Sequence, residues 1–192
     1  MSTHSSIFTK QSTPLTIRES KIFKNGEELS LIISLSSLID DIIKRNMTKK
    51  IKSKRTIFYC ENSQIPEISV FSFIYYIYSS LNLDFSTLLL TLISIQRLLL
   101  RTKDELSKNN FYKLFITSCL LNSKNNEDCS YNCDIYAMIG KIDIKELINL
   151  EREFFKMIDY KLYVNEEVYR RYYDLIKKRI IKRCENKNQT SL

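Results

Sequence analysis

Only two glycines and two prolines stand among 192 residues, and this scarcity limits the fold more than any other feature. Hairpins and tight loops draw on these residues for positive φ and for pre-set turns. A chain nearly without them is expected to consist of long helices joined by short polar links. Apolar residues make up 44% of the sequence, enough to fill the core of one ordinary domain.

Apolar spacing divides the chain. Residues 1–24 are rich in Ser and Thr, show no period, and read as a disordered tail. A helix is predicted over Glu27–Met47, with Leu31, Leu35, Leu38 and Ile42 on its apolar side and Asp40 and Asp41 on its polar side. The basic linker 48–55 follows, then Ile57-Phe58-Tyr59 as an irregular packed segment. Pro66 suits a first helical turn, and the next helix, Ile68–Leu81, carries Val70, Phe73, Ile74 and Ile77 on one stripe. Asp84 or Ser86 caps a helix to about Thr102, and Ser107 or Lys108 opens another that ends near Lys124. A polar loop spans 125–132, and a short helix over Cys133–Ile139 is stopped by Gly140. Asp143 caps a helix to Ile158, and a last amphipathic helix carries Val168, Tyr172, Leu175 and Ile176.

Two of these helices are informative. Phe111–Asn125 is apolar almost all the way round, with a narrow polar strip of Lys113, Thr117 and Lys124. A helix of that kind is a core helix surrounded by others. In the helix after Asp143, Ile144, Leu147, Ile148, Phe154, Phe155 and Ile158 form an apolar stripe, and Glu151 falls inside it. A carboxylate there is costly unless paired or left at an edge. From the residues alone, a solvent-facing edge and a missing partner both stay open.

Composition excludes several functions. His4, the only histidine, lies in the polar tail, so histidine-dependent catalysis and a zinc site around Cys129 and Cys133 are not expected. Five cysteines with no secretory leader argue against a disulfide framework. The most apolar stretch, Leu88–Leu100, is interrupted by Thr91, Ser94, Gln96 and Arg97. It falls short of the roughly 20 apolar residues a bilayer span needs, so a soluble protein with a buried helix is expected. The net charge of +8 sits largely in residues 49–55 and 177–183. Neither run is interleaved with stacking aromatics, so nucleic acid is not the expected partner.

The order of the elements resembles the cyclin box of P/U-type cyclins, a group containing the phosphate-sensing cyclins of fungi and their plant and protist relatives. Ile65-Pro66-Glu67-Ile68-Ser69-Val70 resembles the start of the first box helix, and Leu92-Ile93-Ser94-Ile95-Gln96-Arg97-Leu98 the second. Leu114–Lys124, ending in Ser123-Lys124, is similar to the central third helix. Glu127-Asp128 with Tyr131-Asn132, then Tyr136–Gly140, resemble the loop and the short fourth helix. Glu146–Glu151 with Phe154–Tyr160 is similar to the fifth.

The resemblance covers roughly Gln64–Tyr173. It implies an all-α fold: a single five-helix cyclin box at 64–162 around a central buried helix, an added N-terminal helix and linker at 25–63, a C-terminal helix at 163–184, and a tail at 185–192. Too few residues follow the fifth helix for a second box.

The resemblance also implies a role. The chain is expected to be a non-enzymatic regulatory subunit that binds and activates a cyclin-dependent protein kinase, without cofactor or metal, in the nucleus or cytoplasm. Lys124 and Glu151 match the family's kinase contacts, with Leu147, Phe154, Phe155, Lys113 and Thr117 around them, and a polar group on the kinase is expected to pair with Glu151. The family's substrate-docking patch, which serves protein substrates or inhibitors, maps to Pro66, Ser69, Val70 and Phe73. Departures are Gln96 and Glu67, where many cyclins pair an Asp with an Arg, and Asn125, where a large residue commonly follows the lysine. The competing readings are a basic helical nucleic-acid or transcription-complex module of the same fold, and a scaffold that binds a kinase without activating it.

Overall fold

A computed structural model describes residues 26–49, 56–127 and 130–189. The expected tail 1–24, most of the basic linker, Asp128 and Cys129 lie outside these. Among the described residues the order is α1 (Gly26–Thr48), a 3₁₀ turn at Asn62–Gln64, α2 (Val70–Ser80), α3 (Phe85–Thr102), α4 (Lys108–Asn126), α5 (Cys133–Gly140), α6 (Ile144–Met157) and α7 (Glu166–Gln189), with no strand. The fold is all-α.

α4 is the axis of the molecule. From Asn110 to Ser123 every residue except Lys113 is buried, and α3, α5 and α6 pack around it. Its contact with α3 is close because small polar residues face each other. Ser118 Oγ donates to the Thr91 carbonyl at 3.1 Å, and Asn122 Nδ2 donates to Ser94 Oγ at 3.2 Å and to the Ser118 carbonyl at 2.8 Å. These buried polar atoms are thus satisfied, as burial demands. Phe73 on α2 reaches the same axis by edge-on ring contacts to Phe111, Tyr112 and Phe115. By length and composition α3 could cross a membrane, but its apolar residues, Leu88, Leu89, Leu92, Ile93, Ile95 and Leu98 among them, fill this core.

Glycine scarcity shows in the helix ends. Left-handed φ values fall on Asn82, Lys103, Lys141, Asp159 and Tyr160, and on no glycine. Each costs roughly 1 kcal/mol that glycine would spare. The expected stop at Gly140 is therefore wrong in its reason. Lys141 makes the left-handed cap (φ 51°), whereas Gly140 is the last residue of α5, where a Cβ would meet Ile116 Cγ1 at 2.9 Å. Close approach, not φ, requires glycine there.

Other boundaries shift by local chemistry. α2 starts at Val70, not Ile68, because Ser69 caps it by accepting from the Ser72 N–H at 3.0 Å. Asp84 is the N-cap of α3, but Glu127, at the end of α4, supplies the carboxylate, accepting from the Asp84 N–H (3.2 Å) and from Thr87 Oγ1 (2.6 Å). α7 starts at Glu166 and runs past the expected end at 184. The buried face of α1 is Ile32, Leu35, Ile39 and Ile43, with Leu31, while Leu38 and Ile42 pack only at its edge. α7 buries Ile176 but leaves Leu175 facing solvent. It packs on α1 and α3, held in part by Lys177–Glu27 (3.3 Å) and Arg179–Asp41.

Candidate functional site

α6 is set by its cap: Asp143 accepts from the Lys145 N–H at 2.9 Å and the Glu146 N–H at 3.2 Å. The helix then presents two different apolar faces. Leu147, Leu150, Phe154 and Ile158 are wholly buried against the core, and Phe58 from the segment before α2 closes edge-on over Phe154 at 5.8 Å. A second row, Ile144, Ile148, Glu151 and Phe155, follows at spacings of four, three and four. Ile144 and Ile148 are 40% and 41% exposed, and Glu151 and Phe155 are half-buried.

Two ion pairs join α6 to α4, and one of them, through Glu151, lies on this outer row. Lys113 Nζ lies 2.7 Å from Glu146 Oε1, and Lys124 Nζ 2.6 Å from Glu151 Oε1. The side chains of Lys124 and Glu151 keep 37% and 19% of their exposure, so water discounts the pair to at most about 1 kcal/mol of stability. Cys133 Sγ, in the first turn of α5, accepts from Lys124 Nζ at 3.2 Å and lies 3.8 Å from Glu151 Oε2. Burial acts to lower the Lys124 pKa, but the hydrogen bonds to Glu151 and Cys133 outweigh it and hold the ammonium above its ordinary 10.5.

The expected site residues divide accordingly. Glu151 and Phe155 share the outer row of α6, with Lys124 paired to Glu151, whereas Lys113 pairs with Glu146, which is not part of that row. Leu147, Phe154 and Thr117 are wholly buried and present nothing to a partner; Thr117 Oγ1 has no hydrogen-bond acceptor among the described residues. Glu151 also has its countercharge within the chain, so no outside group is needed to neutralise it. Ile144 and Ile148 belong to the surface instead. Their signal was the width of the α6 stripe, which is too broad for a single core-facing face.

Tyr160 was missed as well. It is 62% exposed, and its ring stands edge-on to Phe155 at 5.1 Å, extending the row beyond the helix. Of the expected docking patch, Pro66, Ser69 and Val70 line an open groove of about 1250 Å³ between α1, α2 and the start of α4. Phe73 does not reach it, being buried among the α4 rings. The departures at Gln96 and Glu67 leave no orphan charge: Gln96 Oε1 accepts from the Tyr172 hydroxyl on α7, and Glu67 is exposed.

A family model described as Cyclin matches residues 10–162, starting well before α1. The chain is 29% identical over 160 residues to Cyclin-U2-2 of Arabidopsis thaliana, covering 78% of this chain and 69% of that protein. It is 30% identical over 156 residues to Cyclin-U2-1 of the same plant (77% and 68%). To Cyclin-P3-1 of Oryza sativa subsp. japonica it is 27% identical over 163 residues (82% and 67%).

Proposed function

The chain belongs to the cyclin family, and from that premise we propose that it is the regulatory subunit of a cyclin-dependent protein kinase. The observation that carries this reading is the outer row of α6. Exposed Ile144 and Ile148, half-buried Phe155 and exposed Tyr160 form an apolar strip set around the Lys124–Glu151 pair. Phe155 packs partly against the core, but Ile144 and Ile148 lie outside it, and apolar surface of this kind marks a protein partner.

A kinase becomes active when its β3 lysine pairs with the glutamate of its αC helix, which requires αC to swing inward. A cyclin drives that swing only by binding the inward state more tightly than the outward one. The strip offers αC a rigid apolar bed, because α6 is pinned to α4 by two ion pairs and by its buried face. Lys124 and Glu151, at the centre, set register by charge. Catalytic groups all reside on the kinase.

The test uses charge swaps. Lys124→Glu alone leaves two carboxylates together and weakens both the fold and kinase binding. The double variant Lys124→Glu, Glu151→Lys restores the internal pair but inverts the charges offered to the kinase. We expect its Tm to return to within a few degrees of wild type while affinity for a panel of purified, cyclin-free Arabidopsis cyclin-dependent kinases stays at least tenfold down, the scale of one well-placed interface contact. Wild type is expected to raise the phosphotransfer rate of the kinase it binds. Binding without activation makes the chain a scaffold, and no binding by wild type refutes the proposal.

A further inference from the structure

The exit of α6 is an unusual piece of backbone. Asp159 and Tyr160 are both left-handed, with φ of 58° and 57°, a conformation that is rare for a tyrosine. The turn is closed by the Asp159 N–H donating to the Lys156 carbonyl and the Tyr160 N–H to the Phe155 carbonyl, each at 2.9 Å. Backbone of this kind persists only where its surroundings determine it, and it tends to mark a working surface.

Two arginines one turn apart on α3 supply those surroundings. Arg101 Nε donates to the Met157 carbonyl at 3.0 Å, at the last residue of α6. Arg97 spreads its fork over the following segment, donating to the carbonyls of Lys161 and, at 3.2 Å, Tyr163. Neither arginine is buried. Water could satisfy the same exposed carbonyls, so the arginines are not needed to spare the fold unpaired acceptors. What water cannot do is fix the path of the chain, and that path returns the Tyr160 ring to Phe155.

We propose that Arg97 and Arg101 are positioning residues for the partner surface, holding the exit of α6 so that Tyr160 is presented beside Phe155 as an aromatic anchor for the kinase. This rests on the kinase-binding reading. The arginines touch no partner themselves and act through Tyr160.

The experiment has two arms. In the free protein, Arg97→Gln with Arg101→Gln is expected to speed amide exchange in the peptide covering 157–164 while α4 stays protected. In the second arm, affinity for the purified Arabidopsis kinase that wild type binds is measured in a double-mutant cycle with Tyr160→Ala. The arginine pair is expected to cost roughly tenfold in Kd with Tyr160 present and less than about twofold once it is alanine. Arg97→Lys keeps the charge but not the fork and is expected to behave as Arg97→Gln. Unchanged exchange overturns the positioning. Faster exchange with additive losses makes the arginines merely structural and overturns the proposal equally. If wild type binds no kinase, the anchor role falls with the proposed function, and the exchange arm still decides whether the arginines hold Tyr160.

Discussion

At the scale of single residues, the few titratable groups within the apolar interior are cysteines and tyrosines that burial keeps neutral. Cys119 on α4 is fully buried, and loss of hydration pushes its thiol from an ordinary 9.0 to about 12. Tyr136 and Tyr78 are also driven upward, chiefly by burial, with the nearby Cys119 adding at Tyr136 and a hydrogen bond to Glu28 adding at Tyr78. In each case the folded value lies above the unfolded one, so the contribution to stability is complete below the unfolded value and declines as pH rises through the window. For Cys119 that window opens near pH 9, where the unfolded chain begins to release a proton the folded chain retains, at up to about 1.4 kcal/mol per pH unit. Lys124 obeys the same sign rule: its value is raised, so its ammonium and the pair with Glu151 persist where an ordinary lysine begins to lose its proton. Tm is therefore expected to hold to about pH 9 and to fall over roughly the next pH unit. Cys119→Ala should lower the plateau but flatten that first fall; an unchanged slope would assign the alkaline transition to other groups.

At the scale of elements, α6 shows what the sequence could and could not reveal. Helix order, the Asp143 cap and the all-round apolar character of α4 were legible because each depends on neighbours within a turn or two, and the start of α4, left between Ser107 and Lys108, falls with Ser107 as the cap. The division of the α6 apolar residues into a core row and an outer row was not, since it depends on where α4 lies. Leu147→Ala is accordingly expected to destabilise by about 2–5 kcal/mol, whereas Ile148→Ser should leave Tm nearly unchanged and weaken kinase binding severalfold. Equal effects of the two in thermal melts would erase the distinction between the rows. The packing of α5 on α4 gives a second case. Gly140→Ala gains about 1 kcal/mol of helix propensity but drives a Cβ to 2.9 Å from Ile116 Cγ1. That atom sits on a β-branched side chain with little rotamer freedom in a helix. Overpacking of this kind costs about 1–3 kcal/mol, so a net loss of about 1 kcal/mol is expected in urea melts. Stabilisation would mean that the seam has slack.

At the scale of the whole molecule, the two functional readings occupy different places. The basic run 177–183 reads as uniform in sequence, but packing divides it. Lys177 and Arg179 turn inward to Glu27 and Asp41 and fasten α7 to α1, a pairing between helices far apart in the chain that no local pattern announces. Lys178, Lys182 and Arg183 are left on the exposed side, as are Arg171 and Leu175 before the run. α7 packs on α1 and α3, whereas the outer row of α6 lies beside the end of α4. A polyanion attracted by α7 and a kinase seated on α6 would thus use separate residues. Lys178→Glu with Lys182→Glu is expected to leave kinase affinity within about twofold, as distant and independent sites should. The same pair should reduce the salt slope of any binding to a short DNA duplex by about two, because each lysine that no longer meets a phosphate leaves one counterion in place. Measuring both affinities across a salt series separates the readings. If the α7 variant abolishes kinase binding while Ile148→Ser retains it, the functional face is α7 and the assignment to α6 is wrong.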